Sequence, residues 1–328
     1  MSLLRSSSEL MAKHMSSYPP KRYNLSWNLA DCSFDDVNLL ATLTCGQTFR
    51  WRRQADGAWL GSIGIQAAVL WQPEDCRDHF FWQTFPVEND WAIIRDYFNL
   101  GINLRALQRG WHDAEQLTAD VFIQHVGLRL LQQPLEECLY SFQCASCNTV
   151  TKIERSVEEL ARLYGSPIET PWGRVSLFPA TSSIATASEE VLRKALWGYR
   201  APRLIALAKL MQEKGDAWLQ GLVGMPYADA HRNLTDLPGI GPKLADCVCL
   251  FCLRKWEAIP VDTHVLQLAQ RLWPTQNEYR SLTPRVYLQI ADSYRHRYGV
   301  YAGWAQQILF YSELHRTRPG WIPCQPAI

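Results

Sequence analysis

The sequence predicts an α+β protein in which a small N-terminal antiparallel β-rich domain precedes a larger, mainly α-helical region. Short runs typical of strands lie between residues 49 and 72 and are separated by turn residues. Beyond residue 91, apolar side chains recur at the spacing of an amphipathic helix. Of the 328 residues, 47% are apolar, which is enough to form the cores of two or three units that share an interface.

The N-terminal part divides into a lead segment and a β-rich domain. Residues 1–22 carry several serines and end close to Pro19 and Pro20, and we predict that they are disordered. The β-rich domain is expected over residues 23–125. Within it, residues 49–53, 58–63 and 67–72 are predicted strands, and Asp56-Gly57 has the residue types of a hairpin turn.

The helical domain is expected over residues 126–315, and a C-terminal tail over residues 316–328. Glycines that typically end helices follow several periodic runs, at Gly165, Gly198 and Gly215. The periodicity also predicts the buried faces of two helices, formed by Ile93, Ile94, Tyr97 and Phe98 in one and by Ile153, Val157, Leu160, Ala161 and Tyr164 in the other.

The charge and the apolar segments limit the classes of function. A formal net charge of +1 at pH 7 gives no overall attraction to nucleic acid, so a DNA-binding surface would have to form by local clustering of basic side chains and main-chain amides. No apolar stretch has the length of a signal peptide or a membrane span. We therefore expect a soluble, intracellular protein with no membrane partner.

The ten cysteines include two close groups, which a metal site or buried thiols could explain. Both groups lie in apolar, helix-like stretches that lack the turn residues which usually present thiolates to a metal. An intracellular protein of this size needs no disulfides. We therefore expect buried, reduced thiols and no iron–sulfur cluster in the two groups, which are Cys138, Cys144 and Cys147, and Cys247, Cys249 and Cys252.

The most informative segment is LPGIGPKLAD, residues 237–246. A predicted helix over residues 227–234 precedes it and an apolar run follows, so the pattern indicates two helices joined by a glycine hairpin. Gly239 and Gly241 allow a tight turn that approaches a phosphate oxygen closely. Pro242 suits the first turn of the second helix, whose free amides would point at an anion. The alternative is that the segment is a simple corner between two helices and binds no ligand.

Lys243 and Asp262 are the candidate catalytic residues. Lys243 stands at the start of the second helix, where the helix dipole should depress the pKa of the ammonium group. An amine nucleophile that forms a Schiff base needs such a pKa, although a lysine that contacts phosphate or solvent would fit the same position. Asp262 lies in an apolar loop further along the chain and could stabilise a sugar cation, cap the following helix, or do both.

Four segments together resemble the helix-hairpin-helix superfamily of DNA glycosylases, and more closely its 8-oxoguanine DNA glycosylase family. Two are the hairpin with Lys243 and the loop PVDTH at residues 260–264; the others are GQTFRW at residues 46–51 and YAGWAQ at residues 301–306. The similarity runs from residue 23 to residue 314. It implies a helix-hairpin-helix core of two helical subdomains, in a monomer that acts on double-stranded DNA.

The resemblance implies a bifunctional enzyme that removes 8-oxoguanine and then cleaves the strand. Lys243 would attack the anomeric carbon of a flipped-out nucleotide, displace the base and support β-elimination, while Asp262 assists electrostatically. No cofactor would be required for this chemistry. The main-chain carbonyls of Thr235, Leu237 and Ile240 could bind a structural cation, such as Ca²⁺, Mg²⁺, Na⁺ or K⁺, at the DNA contact.

By the same resemblance, Gly46, Cys247, Gln306 and Phe310 form the base pocket. The carbonyl of Gly46 would accept the N7 hydrogen that guanine gains only on oxidation, whereas undamaged guanine would present a lone pair to it. Gln306 would bind the edge of the six-membered, pyrimidine ring of the lesion, and the base would lie between Cys247 and Phe310. Without the family, core packing is the simpler interpretation of those two residues. His264 would bind a phosphate of the DNA backbone.

The contacts to the opposite strand are where the sequence departs from the family. Tyr199 would fill the stack that the lesion leaves, and the adjacent Arg200 would contact the opposite base. Family members commonly have a run of asparagines followed by an arginine at a second opposite-base site, whereas this chain has Cys147, Asn148 and then Lys152. Lysine lacks the planar, two-pronged donor of arginine, and cysteine lacks an amide, so we expect a weakened preference for cytosine opposite the lesion.

Two other functions fit part of the sequence. A related glycosylase for another damaged base would also use the hairpin, but Lys243 favours a lyase, and Gly46 with Gln306 favours an oxidised purine. The iron–sulfur relatives have four clustered cysteines after the catalytic aspartate, where this chain has only Cys324. A non-catalytic DNA-binding module would need neither Lys243 nor Asp262.

Overall fold

The computed structural model describes residues 25–73, 77–87, 90–145, 148–274 and 281–317. Within these ranges a five-stranded antiparallel sheet near the N-terminus is followed by helices that make up most of the molecule. The α+β prediction is therefore confirmed. The lead segment, residues 1–22, and most of the predicted C-terminal tail lie outside the described residues. No helix in the described ranges is long and apolar enough to cross a bilayer.

The sheet consists of β1 (Asn28–Ala30), β2 (Arg52–Arg53), β3 (Trp59–Ile63), β4 (Gln66–Trp71) and β5 (Phe80–Phe85). Its spatial order is β1-β5-β4-β3-β2, and all neighbours are antiparallel. The predicted Asp56-Gly57 turn is present, because Gly57 has a φ of +85° and Asp56 Oδ1 accepts the amide of Ala58 at 3.1 Å.

The strand prediction holds for β3 and β4 and is wrong for most of residues 49–53, where only β2 pairs with the sheet. The Phe49 ring instead packs edge-on against Phe142 of the helical region at 5.3 Å, and the Arg50 guanidinium donates to the carbonyl of Ser176. These residues join the two parts of the molecule. The sequence pattern also misses β5, because FFWQTF is buried along its whole length and does not alternate.

The helices follow the predicted periodicity. Of the two predicted faces, Ile94, Tyr97 and Phe98 are buried in the first, and Ile153, Val157, Leu160 and Ala161 in the second. The helices are α1 (Leu39–Thr44), α2 (Trp91–Tyr97), α3 (Leu104–Ala114), α4 (Ala119–Gln124), α5 (Leu135–Cys144), α6 (Val150–Tyr164), α7 (Thr181–Ala185), α8 (Glu189–Leu192), α9 (Ala201–Lys214), α10 (Asp216–Gly224), α11 (Tyr227–Thr235), α12 (Pro242–Cys252), α13 (Thr263–Leu272), α14 (Pro284–Tyr298) and α15 (Ala302–Thr317).

Irregular elements and a hairpin interrupt the helical region. A two-stranded antiparallel hairpin, β6 (Pro167–Thr170) and β7 (Gly173–Ser176), lies between α6 and α7. A π-helical turn (Arg193–Trp197) and a 3₁₀ turn (Gly198–Arg200) connect α8 to α9, and a second 3₁₀ turn (Gly299–Tyr301) precedes α15. The sequence pattern does not predict the hairpin, whose strands are short and mostly exposed.

A close approach at Gly303 seats α15 against α12 and the loop that follows it. A Cβ at this position would lie 2.3 Å from Leu250 Cδ1 and 2.8 Å from the carbonyl oxygens of Trp256 and Ala258. The Gly303 amide also donates to the carbonyl of Trp256 at 2.7 Å. Because two of the three atoms belong to the backbone, a change of rotamer cannot make room, and only glycine fits this contact.

Substitution of Gly303 by alanine should therefore destabilise the protein. Overpacking of this kind costs about 1–3 kcal/mol, and urea denaturation should show a free energy of unfolding reduced by that amount. The matched control is Gly221→Ala, at an exposed position inside α10 where a Cβ meets nothing within 4 Å. The control should gain about 0.5–1 kcal/mol from helix propensity. A Gly303→Ala protein as stable as its parent would contradict this account of the packing.

Candidate active site

The predicted helix-hairpin-helix is present, with α11 and α12 on either side of the glycine turn. Gly239 has a φ of +80°, which favours glycine. The side-chain amide of Gln143 donates to the carbonyl of Pro238 at 3.2 Å and to the carbonyl of Arg203 at 3.1 Å. The hairpin is therefore tied to α5 and α9 and has a fixed position in the molecule.

Gly241 caps α12 without using the conformational freedom of glycine. Its φ of −90° and ψ of 176° are ordinary extended values, and a Cβ would meet nothing within 4 Å. The prediction that both glycines provide special backbone angles is therefore correct for Gly239 and wrong for Gly241. No side chain caps the first amides of α12, so that helix end keeps its N–H groups for an anion.

Lys243 is half-buried in the first turn of α12. Burial lowers the pKa of the ammonium group, but the neighbouring Cys247 and the Asp262 carboxylate stabilise its positive charge, and the pKa of Lys243 is raised overall. The predicted depression of this pKa is therefore wrong for the free protein, because these neighbours outweigh the effect of burial. Lys243 has to lose a proton before it can act as a nucleophile.

Asp262 is the carboxylate that acts on the charge of Lys243. Burial raises the pKa of the Cys247 thiol to about 11, so Cys247 stays protonated at neutral pH. Asp262 also caps α13, with Oδ1 accepting the amides of His264 at 2.9 Å and Val265 at 3.0 Å. The cap uses only one of the two carboxylate oxygens of Asp262. Asp262 can therefore cap α13 and also stabilise a nearby positive charge, as the sequence predicts.

Gly46 and Phe310, two of the predicted pocket residues, lie together. Gly46 has a φ of +83°, and a Cβ there would lie 4.0 Å from Phe310 Cε1. The side chain of Gln307 donates to the carbonyl of Cys45 at 2.8 Å, which holds α15 against the Gly46 segment. His264 meets the edge of the Phe310 ring, with centroids 6.2 Å apart. Because the main-chain amide of His264 donates to Asp262, these contacts place Phe310 next to the segment that carries Asp262.

Gln306 and Cys247 are both buried, each about 2% exposed. Among the described residues, Gln306 Oε1 has no hydrogen-bond partner. A buried amide oxygen of this kind is uncommon in folded proteins and is suited to accept an N–H group from a ligand. Cys247 lies one turn after Lys243 on α12. The predicted sandwich of a base between Cys247 and Phe310 stays a prediction.

Tyr199 follows a strained turn and is 51% exposed. Leu196 has a φ of +69°, an uncommon value for a residue other than glycine, and Gly198 has a φ of +52°. The Arg200 guanidinium lies over the Tyr199 ring, 4.4 Å from its centroid. An exposed aromatic ring backed by a cation has the character of the predicted wedge.

Asn148 and Arg200, two of the predicted opposite-base residues, come together around Cys144 at the end of α5. The Asn148 amide donates to the Cys144 carbonyl at 3.3 Å, and the charge of Arg200 acts on the same cysteine. Lys152 is exposed in the first turn of α6. Cys147 lies outside the described residues. Asn148 and Arg200 therefore both lie near Cys144, with Lys152 on the adjacent helix.

The three carbonyls predicted to hold a cation belong to the end of α11 and to the hairpin. Carbonyl oxygens are hard ligands of the type that Ca²⁺, Mg²⁺ and alkali ions bind. The Leu237 carbonyl already accepts the amide of Ile240 at 3.2 Å, which leaves it one lone pair for an ion. Thr235 is the last residue of α11. The donor types fit such a cation, and its presence stays a prediction.

The described members of the two cysteine groups are free, buried thiols on α5 and α12, namely Cys138, Cys144, Cys247, Cys249 and Cys252. In the part of the chain that the structure describes, no three histidine, cysteine, aspartate or glutamate side chains are grouped so that they could hold a metal ion.

Sequence reasoning misses Asp246, a fully buried carboxylate on α12. It accepts hydrogen bonds from the hydroxyls of Tyr227, at 2.6 Å, and Tyr287. Burial raises the pKa of Asp246, while nearby His231 and the two tyrosines act against that effect. A single acid within an otherwise apolar helix is the signal that could have identified it, because a buried carboxylate needs donors from elsewhere in the fold.

Comparison with known proteins agrees with this geometry. Residues 30–139 match the model of the 8-oxoguanine DNA glycosylase N-terminal domain, and residues 143–286 match the HhH-GPD superfamily of base excision DNA repair proteins. The chain is 32% identical over 294 residues to the N-glycosylase/DNA lyase OGG1 of Arabidopsis thaliana, which covers 88% of this chain and 80% of that protein. The chain belongs to the 8-oxoguanine DNA glycosylase family. The membership predicted from four sequence segments is confirmed.

Other members of the 8-oxoguanine DNA glycosylase family are similar along most of their length. The N-glycosylase/DNA lyase of Saccharomyces cerevisiae is 31% identical over 321 residues, or 86% of this chain and 85% of that protein. The structure of MBOgg1 with a low affinity DNA ligand has a TM-score of 0.77 at 24% identity, and covers 90% of this chain and 100% of that one.

The solved 8-oxoguanine glycosylase/lyase of Clostridium acetobutylicum, in complex with double-stranded DNA containing cytosine opposite 8-oxoG, has a TM-score of 0.78 at 22% identity. The match covers 90% of this chain and 99% of that one. At this level of identity, the two structural matches establish that the chain has the family's fold.

Proposed function

We propose that this protein is a base excision repair enzyme that removes 8-oxoguanine from duplex DNA through a Schiff base on Lys243 and then cleaves the abasic strand. The observation that carries the proposal is the pairing of Lys243, at the hairpin end of α12, with the carboxylate of Asp262. Two relatives that are 31–32% identical are named N-glycosylase/DNA lyase, which supports both activities.

The reaction begins when Lys243 loses a proton, for which the Asp262 carboxylate is the adjacent acceptor. The lysine nitrogen forms a bond to the anomeric carbon as the bond to the base breaks, and the base leaves with the electron pair and takes up the proton that Asp262 had accepted. The carboxylate of Asp262 is thereby restored and stabilises the positive charge that develops on the sugar. Sugar opening gives the Schiff base, and loss of a C2′ proton then expels the 3′ phosphate by β-elimination.

The pocket selects an oxidised purine through two hydrogen-bond acceptors. The Gly46 carbonyl accepts the N7 hydrogen of the lesion, and an unmodified guanine would place a lone pair there instead. The unpartnered Oε1 of Gln306 accepts a hydrogen from the pyrimidine edge. The discrimination depends on Gly46 being glycine, because a Cβ would project toward Phe310 across the space that the base enters.

The DNA is held outside the pocket by several separate contacts. The uncapped amides of α12 near Gly239 and Gly241 bind a phosphate, and His264 binds another. A cation on the hairpin carbonyls reinforces this contact without taking part in the reaction. We further propose that the protein acts as a monomer, as its resemblance to the family implies.

Trapping with borohydride tests the central proposal, because reduction converts a Schiff base into a stable secondary amine. With an 8-oxoguanine duplex, we expect a covalent adduct that maps to Lys243 by mass spectrometry and is absent from Lys243→Gln. Lys209→Gln, on the exposed face of α9, is the matched control and should form the adduct normally. Absence of an adduct with the parent, or full activity of Lys243→Gln, would defeat the proposal.

Gly46→Ala tests the pocket. We expect excision of 8-oxoguanine to fall by about tenfold or more, which is an increase of at least ~1.4 kcal/mol in the barrier, while cleavage at a preformed abasic site is kept because no base has to enter. Gly64→Ala is the control, since Gly64 has a similar φ of +59° with nothing within 4 Å. Single-turnover cleavage of both duplexes measures the effect. Equal losses on the two substrates would count against the assigned pocket.

The opposite-base contacts predict a weak preference for cytosine opposite the lesion. Restoring a two-pronged donor with Lys152→Arg should increase the ratio of excision rates for cytosine over adenine by about tenfold, within the ~1–3 kcal/mol of one bidentate base contact. The ratio is measured in duplexes that differ only in the opposite base, with Lys209→Arg as control. A parent that already discriminates strongly, and is unchanged by Lys152→Arg, would refute this prediction.

A further inference from the structure

A hydrogen-bonded network beneath the hairpin connects the helix of Lys243 to the loop that carries Asp262. Its centre is Asp246, one turn after Lys243 on α12 and fully buried. Asp246 Oδ1 accepts the Tyr227 hydroxyl of α11, and Oδ2 accepts the Tyr287 hydroxyl of α14. A carboxylate without contact to water needs donors of this kind, so the network fixes the rotation of α12 relative to both helices.

The Tyr287 hydroxyl has a second set of partners in the loop after α12. The amide of Val261 donates to its oxygen at 3.3 Å, and the carbonyl of Ile259 lies 3.2 Å from the same atom. Val261 directly precedes Asp262. One hydroxyl therefore touches a carboxylate on the helix of the nucleophile and the backbone next to the catalytic acid.

Further charged groups complete the surroundings of Asp246. His231 Nε2 of α11 lies 3.8 Å from Asp246 Oδ1 and 3.3 Å from the carbonyl oxygen of Pro242. The Arg295 guanidinium of α14 donates to the Tyr227 hydroxyl at 3.0 Å. The titratable neighbours of Asp246 thus include two tyrosines, one histidine and one arginine, together with the thiols of Cys247 and Cys249 on α12.

We propose that Tyr287, held by Asp246, is a positioning residue that sets the separation between Lys243 and Asp262. The proposal rests on the proposed function, in which that separation decides the rate. Tyr287 touches neither catalytic side chain, and it acts by fixing the two backbone segments that carry them. Misplacement of reacting groups by about 1 Å can cost ~10²-fold in rate, so one hydroxyl at this junction is sufficient to matter.

Tyr287→Phe removes the hydroxyl and keeps the ring. We expect the single-turnover excision rate to fall by about 10- to 100-fold while the dissociation constant for the duplex changes less than about threefold, because the substrate contacts are kept. Thermal denaturation shows whether the variant is folded at the assay temperature. Asp246→Asn, which keeps the volume at the other end of the network, should change the rate in the same direction.

A second measurement does not depend on activity. The groups that act on the Lys243 ammonium are Cys247 and Asp262, and Asp262 helps to raise its pKa. Only the neutral amine reacts with an acylating reagent, so labelling of Lys243 rises as the pH passes its pKa. If Tyr287→Phe loosens the contact with Asp262, the pKa of Lys243 falls and the labelling midpoint, followed by mass spectrometry, moves to lower pH.

Tyr298→Phe is the matched control on the same helix. The Tyr298 hydroxyl is buried and lies 3.0 Å from Thr118 Oγ1, so the substitution also removes one buried hydrogen bond, but away from the Asp262 loop. We expect Tyr298→Phe to leave both the excision rate and the labelling midpoint of Lys243 unchanged. A Tyr287→Phe protein with the parent's rate and midpoint, or equal losses in Tyr298→Phe, would overturn the proposal. A parent that forms no borohydride adduct would instead defeat the proposed function, and the labelling midpoint would still test Tyr287.

Discussion

The attraction between the Lys243 ammonium and the Asp262 carboxylate is the interaction around which the site is arranged. A half-buried ammonium loses part of its hydration, and the carboxylate compensates for that loss. The carboxylate itself is held by the first amides of α13, where the helix dipole favours a negative charge. The start of one helix thus presents the acid, and the start of another presents the amine.

The base pocket depends on contacts between segments that are far apart in the sequence. Gly303 lets α15 lie directly on α12 and its loop, and Gln307 on the next turn of α15 binds the carbonyl of Cys45. Those two contacts bring the Gly46 segment, the catalytic helix and the helix of Gln306 to one place. The sheet takes part through Arg50, which donates to Ser62 of β3 and to the carbonyl of Ser176. The β-rich part of the chain is therefore attached through Arg50 to the segment that carries Gly46, which would form one wall of the proposed pocket.

Features that depend on local sequence could be predicted, and features that depend on distant neighbours could not. The hairpin, the flanking helices, the Asp56-Gly57 turn and the Asp262 cap follow from residue types a few positions apart. The buried strand β5 has no alternation to identify it, and Phe49 and Arg50 look like strand residues until their partners in the helical region are known. The pKa of Lys243 is a further case, because Asp262, which helps to raise it, is brought near only in the folded chain. The role of Tyr287 is hidden for the same reason.

The side chain of Gln143 has a mechanical consequence. By binding the carbonyls of both Pro238 and Arg203, it joins the hairpin to the first turn of α9, and Tyr199 lies two residues before that helix. The hairpin and the tyrosine ring are therefore held at a set spacing. In the proposed complex, a duplex whose phosphate binds to the hairpin would meet the ring at a fixed distance along the strand.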